Sequence, residues 1–156
     1  MRLLIIIIAS FLLPWTVGIV FIRDKKIVTI IAPFSSMVAY VLNTIGIDLG
    51  LFYPLPVEHL KTHTVSIFAN IGILPVLSCL FIYFVTRTKI KPIVLNIAIS
   101  IISTLIDSIF ISAKYLEYAH GWDFLHSLLF YNISFCMIYL YYLWLKKINI
   151  FKIVPE

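Results

Sequence analysis

Five apolar runs, each about as long as a bilayer core is thick, constrain this chain more than any other feature. They cover residues 3–22, 27–52, 64–86, 92–113 and 124–145. Crossing the hydrocarbon takes about 20 mostly apolar residues in a helix. Short charged breaks separate the runs: Arg23-Asp24-Lys25-Lys26, Glu58 to Lys61, Arg87 to Lys91, and Lys114 to Asp123. Isoleucine-rich runs would favour strands in water. In lipid the backbone must satisfy its own hydrogen bonds, and runs this long do so as helices. The alternating segments of about 10 residues that mark a transmembrane barrel are absent from the sequence. The expected fold is all-α: a polytopic integral membrane protein, one five-transmembrane-helix bundle over residues 1–156.

Composition points the same way. Hydrophobic residues make up 62 % of the chain and charged residues 12 %, with a mean hydropathy of +1.08. A soluble domain is about 45–50 % apolar and about 25 % charged. That excludes a soluble enzyme, a nucleic-acid module and a disordered tail. The net charge of +5 comes from placement. Arg23, Lys25, Lys26, Arg87, Lys89, Lys91, Lys146, Lys147 and Lys152 fall on one side of the alternating spans, and Arg2, Lys61 and Lys114 on the other. Lysine and arginine collect on the cytoplasmic side, so the amino terminus is expected outside and the carboxyl terminus in the cytoplasm. These cations mark topology and meet anionic lipid; membrane lipids are the expected partners, and nucleic acid is not. The first run reads as a retained helix rather than a signal peptide, because no A-x-A site follows it and the charge cluster comes after it. Cys79 and Cys136 lie in apolar runs and act as small hydrophobes. Tyr139, Tyr141, Tyr142 and Trp144 before Lys146 form an interfacial anchor. Pro14, Pro33 and Pro75 each free a carbonyl within a span and are expected to kink it.

Asp48 and Asp107 are the informative residues. A carboxylate inside a span costs roughly 2.5–3.5 kcal/mol on insertion scales, so such groups face the bundle interior, find a partner, or are protonated. Asp107 lies roughly 22 Å along a helix from Pro92. Asp48 and His126 lie at a similar depth, near the outer ends of their helices. Their expected arrangement is one outer-leaflet cavity lined by Asp48, Asp107 and His126, with Asn70 and Asn132 as hydrogen-bond partners. Glu58, His59, His63, Glu117, His120 and Asp123 are expected around its mouth. On the fourth run Asn96, Ser100, Ser103 and Asp107 share one helix face, with Thr104, Ser108 and Ser112 beside it. Asn43, Ser66 and Ser134 interrupt other spans. Two readings of these polar residues stay open: interhelical hydrogen bonding with close small-residue packing, or a polar cavity opening outward. His59 and His63 are four apart, a spacing that suits two metal ligands on one helix face. His120, Asp123 and His126 would share a face if the fifth helix began early. The sequence holds no HExxH, no Ser-His-Asp order, no phosphate loop and no nucleotide fingerprint. No catalytic residue is assigned and no cofactor is expected.

The segments Ile102-Ser-Thr-Leu-Ile-Asp107, Tyr115-Leu-Glu-Tyr-Ala-His-Gly-Trp122 and Tyr141-Tyr-Leu-Trp-Leu-Lys-Lys147, with the basic turn Arg23-Asp-Lys-Lys26 and Leu51-Phe-Tyr-Pro54, carry a resemblance. The chain resembles a family of small multi-pass membrane proteins of spore-forming Bacillus and Clostridium relatives. In that family an acidic residue in the fourth helix precedes an L-I-E-Y-I-H-W-like segment. This chain departs from it in keeping only Trp122 where the family is richer in tryptophan, and in carrying Glu58 or Lys61 where an arginine follows Tyr-Pro. The resemblance implies the multi-pass fold and a Gram-positive plasma membrane, and implies no reaction. Two function classes follow. One is a structural, accessory or binding membrane protein, with a membrane-protein partner or a second copy of itself. The alternative is a membrane-embedded enzyme or carrier for a lipid-like or small polar ligand.

Overall fold

The computed structural model describes residues 2–55 and 61–151. Among them five helical spans are long and apolar enough to cross a membrane. The first is α1 (Arg2–Ile7), a π-helical turn (Ile8–Leu12) and α2 (Leu13–Phe21). The second is α3 (Lys25–Asp48). The third divides into α4 (Thr62–Ile71) and α5 (Ile73–Arg87). The fourth is α6 (Pro92–Ser112) and the fifth α7 (Phe124–Lys147).

Local chemistry sets the ends. The Asp24 carboxylate accepts from the Lys26 backbone N–H at 3.0 Å and caps α3, Pro92 opens α6, and Asp123 caps α7. These are the residue types that satisfy or remove the free N–H groups of a first turn. Three C-termini close in one pattern, with a left-handed residue after the cap and a backbone bond back across the last turn. Leu51 N–H donates to Gly46 O, Tyr115 N–H to Phe110 O and Ile150 N–H to Leu145 O, at 2.9, 2.8 and 3.1 Å. The left-handed residues are Gly50, Lys114 and Asn149.

Gly50 corrects the expected second helix. It stops at Asp48 rather than continuing to residue 52, because Gly50 turns the chain. β1 (Phe52–Pro54) then pairs antiparallel with β2 (Leu116–Tyr118), Phe52 opposite Tyr118 and Pro54 opposite Leu116. The all-α expectation is thus corrected at one place: both interhelix connections at this end contribute a strand, since extended residues at a bundle end still need partners for their backbone groups. We call this the strand end, and the opposite one, carrying Arg23, Lys25, Lys26, Arg87, Lys89 and Lys91, the basic end.

The first and third spans are interrupted near Pro14 and Pro75, where kinks were expected, whereas α3 runs unbroken through Pro33. Proline lacks an N–H, so Pro14 and Pro75 release the carbonyls four residues before them, Ser10 O and Ile71 O. A π-turn precedes Pro14, and the third span breaks at Gly72 just before Pro75. The two irregularities meet. The Trp15 indole N–H donates to Ile71 O at 2.8 Å, and Gly72 lies so close to Ser10 that a β-carbon there would sit 1.9 Å from Ser10 O.

Packing differs between the two ends. Toward the basic end Ile27, Ile31, Phe81, Ile82, Phe135, Ile138 and Leu145 are almost completely buried in one cluster. α3 packs on α5, and α6 on α7 and α5. The strand end is hollow.

Candidate functional site

A partly open cavity of about 100 Å3 lies beneath the two strands. Ser103, Ile106 and Phe110 of α6 face Ile6 of α1 and Val65 and Ala69 of α4 across it. Phe52 and Pro54 of β1, with Leu116 and Tyr118 of β2, roof it. Their alternation sends Tyr53 and Glu117 away from it, Glu117 being exposed. Among the described residues the lining includes one carboxylate, Asp107, and no lysine, arginine or histidine.

Asp107 is held by phenols. Tyr131 of α7 donates to both its oxygens, at 2.9 and 3.0 Å, and Tyr118 of β2 donates at 3.2 Å. Ser127 Oγ donates to the Tyr118 hydroxyl at 2.7 Å, and the Trp122 indole donates to Ser127 Oγ at 2.8 Å. The chain Trp122, Ser127, Tyr118, Asp107 therefore runs one way, every donor pointing toward the carboxylate, and successive bonds polarise one another. Burial, then the adjacent Asp107 charge, pushes the Tyr118 phenol well above its ordinary range, so it stays a donor.

The polar stripe of α6 divides by depth. Asn96 Nδ2 donates to Cys136 Sγ at 3.1 Å and to Asn132 O at 3.4 Å, and Ser100 Oγ donates to Asn96 Oδ1 at 3.2 Å. That half binds helices together. Ser103 and Asp107, farther along the same face, line the cavity. Thr104, Ser108 and Ser112 donate to carbonyls one turn back on their own helix. On the opposite wall Asn43 Nδ2 donates to Asn70 Oδ1. The Asn70 Nδ2 is buried without a hydrogen-bond partner among the described residues. A smaller cavity of about 20 Å3 shares Asn43, Leu74, Phe130 and Tyr131 with the first and adds the hydroxyls of Ser35, Ser78 and Ser134.

No protein-family model, curated protein or solved structure matches this chain.

The expected convergence of Asp48, Asp107 and His126 is corrected: of the three, only Asp107 lines the cavity. Asp48 is the last residue of α3, where water and His63 reach it; His63 Nε2 lies 3.5 Å from its Oδ1, both side chains exposed. His126 folds back on the residue that caps its own helix, its Nδ1 2.7 Å from Asp123 Oδ1. Backbone and then side-chain hydrogen bonds from His126 hold the Asp123 carboxyl below its ordinary range. The fifth helix begins at Phe124, so His120, Asp123 and His126 do not share a helix face. His120 sits in the turn before it, left-handed, with Nδ1 2.7 Å from Gly50 O. Asn70 adjoins the cavity through Asn43. The Asn132 side chain is absent from the lining and donates instead to Leu128 O at 3.1 Å. Glu58 and His59 lie outside the described residues. Among the described residues, no three His, Cys, Asp or Glu side chains gather as metal ligands.

Sequence reasoning missed Tyr118, Tyr131, Trp122 and Ser127 as site residues. Ser127 and Tyr131 are one helical turn apart, a spacing that signals a shared face. Nothing local ties them to Asp107.

Proposed function

We propose that this chain is a small multi-pass binding protein of the bacterial plasma membrane whose cavity takes an amphipathic ligand from the outer leaflet. The reading rests on one observation: a single carboxylate, held by two tyrosines, in a partly open and otherwise largely apolar cavity. Concave, mostly apolar sites with a few placed polar groups are the usual form of small-molecule sites, and an ionisable residue inside a span is a functional-site hypothesis by default. The excess of lysine and arginine at the basic end supports placing the strand end, and the cavity, outside. The resemblance to the spore-former membrane family supports a Gram-positive plasma membrane.

Native mass spectrometry of the protein released from mild detergent tests this. A bound small molecule is expected on the wild type and absent from Asp107→Leu. A wild type carrying no small molecule contradicts the reading. A second reading, a structural or accessory subunit, draws on the Asn96–Ser100–Asn132 bonds, which join α6 to α7 without a ligand. Its signature in the same spectra is a homo-oligomer or a bound membrane-protein partner with no small molecule.

A further inference from the structure

Resting on that reading, we propose that the polar end of the ligand is an ammonium group, held between the Asp107 carboxylate and an aromatic wall. The first observation is charge. Among the described residues Asp107 is the only carboxylic acid in the lining, and the lining includes no basic side chain to neutralise it. An anionic head would meet this carboxylate in a low-dielectric setting with no compensating charge, whereas a cation supplies the missing partner. The hydrogen bonding agrees. A carboxylate offers about four lone-pair positions, and among the described residues two hydroxyls donate to it.

The second observation is independent of charge. Phe52, Trp122 and Phe130 line the same cavity and contact one another in a closed triad, with centroids 5.6, 5.8 and 5.9 Å apart. Tyr131, the stronger partner of Asp107, adjoins Phe130 at 6.0 Å. Aromatic rings carry negative faces, and clusters of them are the recurring means of holding ammonium cations. An aliphatic wall would hold a hydrocarbon chain equally well and would give no such preference. A single carboxylate in a cavity that these rings also line selects an ammonium over a hydroxyl, a sugar or a phosphate. Ile6, Val65 and Leu74 then receive the apolar body of the ligand. An aminolipid head and a free amine share this chemistry.

The test uses the full chain in phosphatidylglycerol nanodiscs, titrated with decylammonium, decanol and decyl sulfate and followed by tryptophan emission. Wild type should half-saturate with decylammonium at a concentration at least ten-fold below that of decanol, and decyl sulfate should not compete. Asp107→Asn should reduce the ammonium preference to under three-fold. Phe130→Leu, which removes a ring but no hydrogen bond, should also reduce it by weakening decylammonium more than decanol, so the proposal does not depend on one variant folding. Equal binding of decylammonium and decanol, preference for decyl sulfate, or a preference surviving both substitutions overturns the ammonium assignment and leaves the binding cavity standing. Failure of all three probes to saturate overturns the binding reading together with the inference. Loss of decylammonium binding when phosphatidylethanolamine is added to the disc supports the proposal with an aminolipid head. Competition by methylammonium, without that lipid effect, supports it with a free amine.

Discussion

At the scale of single residues, one carboxylate organises the strand end. Asp107 would be costly in lipid, and two phenols and a one-way chain of donors make its place in the bundle tolerable. Tyr131→Phe removes the donor that reaches both oxygens and should lower stability by about 0.6–2 kcal/mol, the range for hydrogen bonds between membrane helices. Asp107→Leu leaves both phenols without their acceptor and should cost about 1–3 kcal/mol. Ile109→Val, on a side chain 67 % exposed to the bundle exterior, should change little. Thermal unfolding in detergent micelles checks all three, and equal effects at Asp107 and Ile109 would remove the distinction between the faces of α6. Asp107 was legible in the sequence because an acid in an apolar run has few ordinary explanations. Its tyrosines were not, because tyrosine near a span end is usually an interfacial anchor, and pairing across two elements leaves no local pattern. Asp48 and His126 misled for a related reason: similar depth is not proximity, and each found a nearer partner within reach of water.

At the scale of elements, the helix irregularities lie where proline withdraws a donor. Ile71 O is answered from the facing span by the Trp15 indole, and Ser10 O lies against the bare backbone of Gly72. Trp15→Phe keeps the ring but not the N–H, and should cost about 1–3 kcal/mol by leaving that carbonyl unpaired. Gly72→Ala brings a β-carbon against backbone that cannot rotate away, and overpacking of this kind costs about 1–3 kcal/mol or more. Both follow from the same thermal measurement; a Gly72→Ala protein as stable as wild type would mean that the first and third spans do not meet there. The start of α7 carries a pH dependence. Asp123 titrates below its ordinary range in the folded chain, so its cap is complete above about pH 4, the ordinary aspartate value, and is lost as pH falls through the lower folded value. Hydrogen exchange at the His126 amide should therefore gain relative to mid-α7 only in acid. Of the helix starts, Pro92 was marked by its own apolar run, while the caps Asp24 and Asp123 were read only as parts of charged breaks. The end of α3 was signalled by Gly50, but hydrophobicity continues past it to Phe52 and masks the stop. The strand pair was not readable, since three-residue strands joining two distant connections leave no periodicity.

At the scale of the molecule, five spans were legible because lipid leaves the backbone few alternatives, and length with composition suffices to find them. What escaped was the asymmetry of packing: a filled basic end of interlocking Ile and Phe side chains, and a hollow strand end roofed by two short strands. Interior volume depends on which side chains from five separate helices meet at one level, and no single run encodes that. The proposed function requires that this hollow be a cavity reached from outside the cell. Cysteine accessibility tests it most directly. In a chain whose native Cys79 and Cys136 are replaced by alanine, cysteine is placed at Ser66 or Ser103, which line the cavity, or at Ser100, which is fully buried against Asn96. A small membrane-impermeant methanethiosulfonate reagent is added to intact cells. Labelling at 66 and 103 from outside, with 100 inert, is the expected result; positions 66 and 103 as inert as 100, or labelled only from the cytoplasmic side of inverted vesicles, would contradict it.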